Sequence, residues 1–407
     1  MSTSTTSAAT TATTQGRARN LALATWAFAI TFWAWAVVGP LAVRYTEQLG
    51  LSASQKSLLV ATPVLVGAVG RIPVGALTDR YGGRVMLSVL CVASVPPVLL
   101  VAWAGERESY ALLLVFGFLL GIAGTSFAAG VPFVNAWYEP ARRGFATGVF
   151  GAGMGGTALS AFFTPRFVEW FGYVTAHVIL AVALAVTGAV VWLLARDAPG
   201  WTPSTQAVLP KLAAAVRLGV TWQMSFLYAV TFGGFVAFST YLPTYLKDVY
   251  DFDLAGAGTR TAGFAIAAVV ARPIGGVLSD RTHPKLVVVT SLAGAAACAV
   301  VMALKPAPEI PAGAVFVLMA FFLGLGAGGV FAWVARRAPA DRVGAVTGVV
   351  GAAGGLGGYF PPLVMGATYD EAAHSYTVGL VLLVLTALLA LGYTLWRLPR
   401  EDRTPPA

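Results

Sequence analysis

Charged residues are scarce in this chain of 407 residues. They make up 11% of the sequence, whereas soluble domains usually carry about 25%. Hydrophobic residues reach 57%, and the mean hydropathy is +0.77. Apolar segments of about 20 residues recur throughout, and each is long enough to cross a bilayer. The scarcity of charge therefore excludes a sizeable soluble domain and predicts an all-α membrane protein.

Cysteine and histidine are also rare, with two and three copies respectively. Cys91 and Cys298 lie in separate apolar segments, so neither a disulfide nor a metal pair is expected. No nucleophile, general base or metal-ligand cluster forms a plausible constellation, which disfavours an enzyme. We expect no metal and no cofactor. A membrane sensor would need an output domain outside the membrane, and no segment is large enough for one.

Twelve apolar segments can be drawn along the chain, in two sets of six. The predicted spans cover residues 21–43, 54–77, 85–104, 111–135, 143–165, 174–195, 221–246, 259–279, 286–304, 312–335, 342–366 and 374–396. We predict a disordered tail over 1–20, a six-helix half over 21–195, a linker over 196–220, a second half over 221–396 and a tail over 397–407. Within the linker, LPKLAAAVRL predicts a short helix on the membrane surface.

The net charge of +9 is explained by the topology of the chain in the membrane and does not indicate nucleic-acid binding. If the N-terminus is cytoplasmic, seven of the 26 Lys and Arg residues fall on the outer face and two within the membrane. The other 17 then lie on the cytoplasmic face, as the positive-inside rule requires. We therefore predict cytoplasmic N- and C-termini, a multi-pass protein of a bacterial cell membrane and no nucleic-acid partner.

The two halves repeat one motif at an offset of 201 residues. GRIPVGALTDRYGGR (70–84) returns as ARPIGGVLSDRTHPK (271–285), so Arg71 pairs with Arg272 and Asp79 with Asp280. A second pair of segments recurs at an offset of 200, RRGFATGVFGAG from residue 142 and RVGAVTGVVGAA from residue 342. The chain is therefore an internal duplication of two parallel units.

In each copy an arginine lies inside an apolar run, eight residues before an Asp-Arg turn. At ~1.5 Å per helical residue, Arg71 and Arg272 lie about 12 Å from that turn, near the middle of a ~30 Å hydrocarbon layer. Each buried arginine costs about 2.5–3.5 kcal/mol on insertion scales. No carboxylate lies within the apolar segments to pair with either one. Unless carbonyls and hydroxyls alone satisfy both guanidiniums, the predicted counterion is a substrate anion, and the planar fork suits a planar oxyanion or a phosphate.

The charged turns have a different predicted role. The first copy of the motif, GxxxDRxGxR between spans two and three, contains Asp79, Arg80 and Arg84. The second, degenerate copy contains Asp280, Arg281 and Lys285. The first copy resembles a strong signature of the major facilitator superfamily, in which it acts as a cytoplasmic charge clamp between helices. Two parallel six-helix halves are also the architecture of that superfamily, with the substrate between them near the midplane.

A closer resemblance, to the nitrate/nitrite porter family, covers nearly the whole chain. It rests on GTSFAAGVPFVNAWYEPARRGFATGVFGAGMGGTA (124–158), SFLYAVTFGGF (225–235), ARPIGGVLSDR (271–281) and TGVVGAAGGLGGYFPPLVMG (347–366). The resemblance implies a secondary active transporter of nitrate, nitrite or both that works by alternating access, with protons as the coupling ion for uptake. It leaves two alternatives open, namely a nitrate/nitrite exchanger and an organic-anion or drug exporter on the same fold.

The same resemblance implies a set of substrate-binding residues. They are Arg71, Arg272, Tyr228, Phe232, Phe127, Met154, Gly151 and Gly351. In the family, the two arginines clamp the planar anion. Tyr228 and Phe232 are four residues apart and so share one helix face. Aromatic rings on either side of a planar anion would exclude tetrahedral phosphate and sulfate by shape.

One position departs from the family pattern. The span-five motif of the family usually reads GxGNxG, and this chain has Met154 in place of the asparagine. A thioether thus replaces a hydrogen-bonding amide, which leaves open a preference for nitrite or another small monovalent anion. The short linker resembles the proton-symporting branch, but no carboxylate in the spans is available to carry a proton. Symport and exchange therefore both remain open, and we expect a monomer.

Overall fold

The protein is built from long helices. A computed structural model describes residues 3–139, 142–203, 208–339 and 342–398. Eleven helical stretches in these ranges are long and apolar enough to cross a membrane. Extended structure in the same ranges is limited to a single bridge between Asp370 and Ser375. The predicted all-α membrane fold is therefore confirmed.

Within the described residues, the first half contains eleven α-helices. They are α1 (Thr3–Trp35), α2 (Val38–Leu49), α3 (Ala53–Val69), α4 (Arg71–Tyr81), α5 (Gly83–Ala93), α6 (Val95–Glu106), α7 (Tyr110–Leu120), α8 (Ser126–Ala136), α9 (Arg143–Gly151), α10 (Gly156–Phe171) and α11 (Tyr173–Leu194). Short 3₁₀ turns, Gly121–Thr125 and Ala152–Gly155, join α7 to α8 and α9 to α10.

In the described part of the chain beyond α11, a linker helix and six unbroken helices follow. They are α12 (Val208–Val216), α13 (Gly219–Tyr250), α14 (Leu254–Arg281), α15 (Pro284–Ala303), α16 (Ile310–Arg337), α17 (Val343–Ala367) and α18 (Thr377–Arg397). The linker helix α12 lies in the segment where the sequence predicts one.

Proline explains several breaks in the first half. Pro40, Pro73 and Pro97 follow the starts of α2, α4 and α6 by two residues each. A proline ring donates no hydrogen bond to the carbonyl four residues earlier and clashes with it. Those carbonyls lie at the three breaks. Proline permits such a break without enforcing it, since Pro273 lies inside the unbroken α14.

The N-terminal segment is helical from Thr3 onward. The helix α1 begins at Thr3, so residues 3–20 are helical where the sequence predicts a disordered tail. This segment contains no proline, and the extension of an existing helix avoids the cost of nucleation. The predicted C-terminal tail falls almost wholly on residues 399–407, which lie outside the described residues, as do 204–207 of the linker.

The predicted fifth span, 143–165, is not among the eleven stretches. It corresponds to α9, the 3₁₀ turn Ala152–Gly155 and α10, which follow one another directly. Glycines fill much of this stretch, and each contributes little apolar surface. The count of twelve spans and the cytoplasmic placement of both termini stay predictions.

The most extensive contacts between the halves are made by three helix pairs, α3 with α17, α10 with α14 and α2 with α13. Glycines bring these pairs together on the side of the bundle where Lys56 lies. At three of these glycines, an added methyl group would overlap a residue of the partner helix. They are Gly39 against Thr240, Gly258 against Ala161 and Gly366 against Ser57. We call this side the Lys56 face, and the side of the charged turns the Asp79 face. The halves are closed against each other on the Lys56 face.

Candidate anion-binding site

Two buried arginines, one from each half, lie together inside the bundle. Arg71 is the first residue of α4, and Arg272 lies within α14. Their exposed fractions are 4% and 9%. Both guanidinium carbons lie near the same two rings, Arg71 at 5.4 Å from Phe127 and 5.6 Å from Phe232. The corresponding distances from Arg272 are 5.7 and 5.5 Å. Aromatic faces attract a cation at such distances, so the rings offset part of the burial cost.

The groups that accept hydrogen bonds from the arginines are all neutral. Arg71 donates through Nη1 to the carbonyl oxygen of Gly351 at 2.7 Å. Arg272 donates through Nη2 to the hydroxyl of Tyr228 at 3.0 Å and through Nη1 to the sulfur of Met154. A guanidinium carries five N–H donors, and Nε of Arg71 is buried with no partner. Within the described residues no carboxylate pairs with either arginine. Donors and positive charge are therefore both in excess.

The aromatic residues form one wall of the site. The rings of Tyr228 and Phe232 stack with centroids 4.8 Å apart and an interplanar angle of 2°, as expected for neighbours on one face of α13. Phe331 of α16 lies edge-on to Tyr228, with centroids 4.6 Å apart, and 5.5 Å from the guanidinium carbon of Arg272. The sequence interpretation missed Phe331, because α16 contains several aromatic residues and no motif distinguishes this one.

Glycines let two helix backbones reach the site. A methyl group at Gly151 would lie 3.9 Å from Nε of Arg272, and one at Gly351 would lie 3.8 Å from the ring of Phe127. Gly354, which sequence reasoning did not single out, is more restrictive, since a methyl group there would overlap the ring of Tyr228. The glycine-rich sequences of α9 and α17 thus place main chain where side chains would fill the site.

Open space continues from the site toward the Asp79 face. Gly75 and Gly276 each lie one helical turn beyond an arginine, on the same helix face. Gly148 and Gly348 occupy equivalent positions in α9 and α17. A methyl group at any of these four would meet nothing within 4 Å. The site is therefore less tightly enclosed on the Asp79 face than on the Lys56 face.

The last basic residue of each charged turn, Arg84 or Lys285, caps the end of a helix and does not contact Arg71 or Arg272. Arg84 donates through Nε and Nη2 to the carbonyl oxygen of Trp192 at 2.9 and 2.7 Å, near the end of α11. Lys285 donates to the carbonyls of Leu395 and Leu398 at 3.0 and 2.5 Å, at the end of α18. A cation is favourable at a helix C-terminus. The two halves thus share this contact although the residue differs.

The other charged-turn residues lie at the surface. Asp280 forms an ion pair with Arg336 at 3.8 Å, and 77% of its side chain is exposed. The guanidinium carbon of Arg80 lies 5.5 Å from the ring of Tyr81, and Asp79 and Arg281 are exposed. In the part of the chain that the structure describes, no three His, Cys, Asp or Glu side chains form a metal site. The clamp role of these turns stays a prediction that the helix-capping contacts support.

Two helical halves that each supply one buried cation to a shared central site define a membrane transport protein of the alternating-access kind. The chain belongs to the major facilitator superfamily and, within it, to the nitrate/nitrite porter family that its sequence resembles. The superfamily profile matches residues 24–362 and 255–407. Membership confirms the predicted family and a transporter in place of an enzyme.

Individual relatives are similar over most of their length. The chain is 62% identical over 380 residues to the "Probable nitrate/nitrite transporter NarK2" of Mycobacterium tuberculosis, covering 93% of this chain and 96% of that protein. It is 33% identical over 366 residues to the "Nitrite extrusion protein" of Bacillus subtilis, covering 90% of each. Among solved structures, an inward-facing bacterial homolog of the lysosomal transporter Spinster matches with a TM-score of 0.73 at 19% identity, over 96% of this chain and 99% of that one. The last similarity shows the fold alone.

Proposed function

We propose that this protein transports nitrate, nitrite or both across the bacterial cytoplasmic membrane by alternating access, with the anion held between Arg71 and Arg272. The observation that carries the proposal is the pair of buried guanidiniums over the rings of Phe127 and Phe232, with no carboxylate partner among the described residues. The names of the two relatives, a probable nitrate/nitrite transporter and a nitrite extrusion protein, support the choice of substrate.

Charge and hydrogen bonding favour a small anion at this position. A monovalent anion between the guanidiniums reduces the local charge from two to one and accepts donors that the neutral partners leave unused. Guanidinium forks match planar oxyanions in a bidentate manner. The stacked ring of Phe232 and the ring of Phe127 offer flat surfaces that suit a planar ion better than a tetrahedral one. Such a closely lined site also disfavours the bulky organic anions of the exporter alternative.

For the coupling, we propose proton-coupled uptake first and nitrate/nitrite exchange second. The short linker favours symport by its resemblance to that branch. Exchange is favoured by the neutral surroundings of the arginines, because no carboxylate of the described residues is in place there to carry a proton. Each chain supplies both arginines, so a monomer is sufficient for either mechanism.

The charge of the site leads to a test of the transport cycle. Without an anion, two guanidiniums on opposite halves repel each other and oppose closure of the halves around them. We therefore expect efflux of labelled nitrite from preloaded proteoliposomes into anion-free buffer to be slow. External nitrite should accelerate it by about tenfold or more, since 1.4 kcal/mol of relieved repulsion corresponds to a factor of ten. In a symporter an outward proton gradient should also accelerate it, because protons leave together with nitrite.

The two accelerating conditions separate the two coupling mechanisms. Acceleration by external nitrite alone would identify an exchanger, whereas acceleration by the proton gradient alone would identify a symporter. Fast efflux with neither would contradict the requirement for an occupied site. Protein-free liposomes supply the leak rate.

Substitution of Met154 tests whether this side chain faces the bound anion. Its sulfur accepts a hydrogen bond from Arg272, and its side chain is buried. We expect Met154→Asn to tighten nitrate binding or to shift the ratio of nitrate to nitrite uptake by about fivefold, because one added hydrogen bond contributes about 1 kcal/mol. Met154→Leu, which keeps an apolar side chain, serves as the control. Unchanged affinity and ratio in the asparagine variant would place this side chain away from the bound anion.

A further inference from the structure

A buried ion pair joins the two halves on the Lys56 face. Lys56 of α3 donates through Nζ to both carboxylate oxygens of Asp248 in α13, at 2.9 and 2.7 Å. Only 6% of the lysine side chain and 13% of the aspartate side chain are exposed. The first residue belongs to the N-terminal half and the second to the C-terminal half. Movement of the halves apart on this face must separate the pair.

Three neutral groups extend the ion pair into a network. The hydroxyl of Tyr376 donates to Asp248 and lies 3.2 Å from the hydroxyl of Tyr241. Ser57 donates to Tyr241 at 3.0 Å, which makes a second link between the halves. Burial, the neighbouring Tyr241 and the Asp248 carboxylate all raise the pKa of Tyr376, so its hydroxyl remains a donor. We call Lys56, Ser57, Tyr241, Asp248 and Tyr376 the Lys56 cluster.

The surrounding contacts leave little room for a partial opening. Gly366 of α17 lies directly against Ser57, where a methyl group would not fit. At the α10–α14 contact, Arg166 donates through Nη2 to the hydroxyl of Thr259 at 2.7 Å, which is another polar link between the halves. Removal of one member of a buried ion pair leaves an uncompensated charge, which is strongly destabilising for the state that buries it. The closed state is therefore the one that depends on the pair.

We propose that the Lys56 cluster is the gate of the Lys56 face, and that the Lys56–Asp248 ion pair holds this face closed while the anion site communicates with the Asp79 face. The inference deepens the proposed transport cycle and rests on it for its role in transport. Loss of the pair shifts the carrier toward the state open on the Lys56 face. A pair of opposite charges is required, and either residue can supply either charge.

Thiol labelling behind the gate measures its opening directly. Thr244 lies one turn before Asp248 on the same face of α13, is fully buried and has a hydroxyl without a partner. In a Cys91→Ala, Cys298→Ala background, Thr244→Cys is therefore a reporter for a polar maleimide. Protein in lipid nanodiscs exposes both faces, so the assay does not depend on membrane orientation. We expect Asp248→Asn and Lys56→Gln each to increase the labelling rate about tenfold or more.

A charge exchange separates gating from general damage to the fold. The double variant Lys56→Asp, Asp248→Lys restores the ion pair and should label as slowly as the parent protein. Lys247→Gln is the matched control, since Lys247 forms an exposed ion pair with Asp251 at 2.8 Å within one half. Its labelling rate should equal that of the parent.

Two results would overturn the gate. Single variants that label at the parent rate would show that the pair does not hold the face closed, and a charge-exchanged variant that labels as fast as the single variants would show that opposite charges are not what matters. Counterflow of labelled nitrite by the parent protein tests the proposed function separately. Its absence together with charge-dependent labelling would reject the substrate and leave the gate in place.

Discussion

Replacement of Arg71 or Arg272 by lysine should reduce uptake of labelled nitrate and nitrite by about 100-fold or more, with protein levels in the membrane near those of the wild type. Lysine keeps the positive charge but presents a point charge in place of a planar fork with five donors. Arg71 reaches the Gly351 carbonyl and Arg272 reaches Tyr228 and Met154 through separate nitrogens of the fork. A single ammonium cannot keep such contacts and also bind an anion in a bidentate manner.

Uptake into proteoliposomes, normalised to the amount of reconstituted protein, measures this effect. Arg107→Lys is the control, because Arg107 is exposed and lies 5.6 Å from the ring of Trp103, outside the site. Near wild-type uptake by both site variants would remove the arginine clamp from the mechanism. Loss of uptake in only one of the two variants would indicate that the anion binds to the half that carries the substituted arginine.

The second large effect is expected from Gly354→Ala. The added methyl group overlaps the ring of Tyr228, which is held between stacked Phe232 and edge-on Phe331 and so has little freedom to move. Overpacking of this kind typically costs about 1–3 kcal/mol. Because Tyr228 accepts a hydrogen bond from Arg272, the displacement reaches the anion site directly. We expect uptake to fall about tenfold or more.

Gly392→Ala is a matched control for this substitution. It also adds one methyl group within a membrane-spanning helix, but there the group would meet nothing within 4 Å. Uptake and thermal stability of Gly392→Ala should match the wild type. If Gly354→Ala also transports normally, the ring of Tyr228 can move without cost and its position does not define the site.

The family and much of the arrangement around the arginines could be predicted from sequence because they depend on local patterns. Apolar length predicted the helices, and the 201-residue offset related Arg71 to Arg272 before any contact was known. The four-residue spacing of Tyr228 and Phe232 predicted a shared face, and the rings stack. The predicted fifth span is not marked by apolar length in the same way, because its glycines lower its apolar character.

Contacts between distant segments had no comparable signal. Lys56 and Asp248 are 192 residues apart and belong to no repeat, so no sequence pattern relates one to the other. Phe331 and Gly354 likewise contact the site through the packing of α16 and α17 against α13.

The distance along the chain between Arg71 and its acceptor has a consequence for biosynthesis. The Gly351 carbonyl that accepts the hydrogen bond from Arg71 lies 280 residues further along the chain. A ribosome delivers α4 to the membrane long before α14 or α17 exists, so the nascent first half holds a costly arginine without its lasting partner. Synthesis of α17 is thus the point at which Arg71 first gains its hydrogen-bond acceptor, and a chain that ends before Gly351 lacks this contact between the halves.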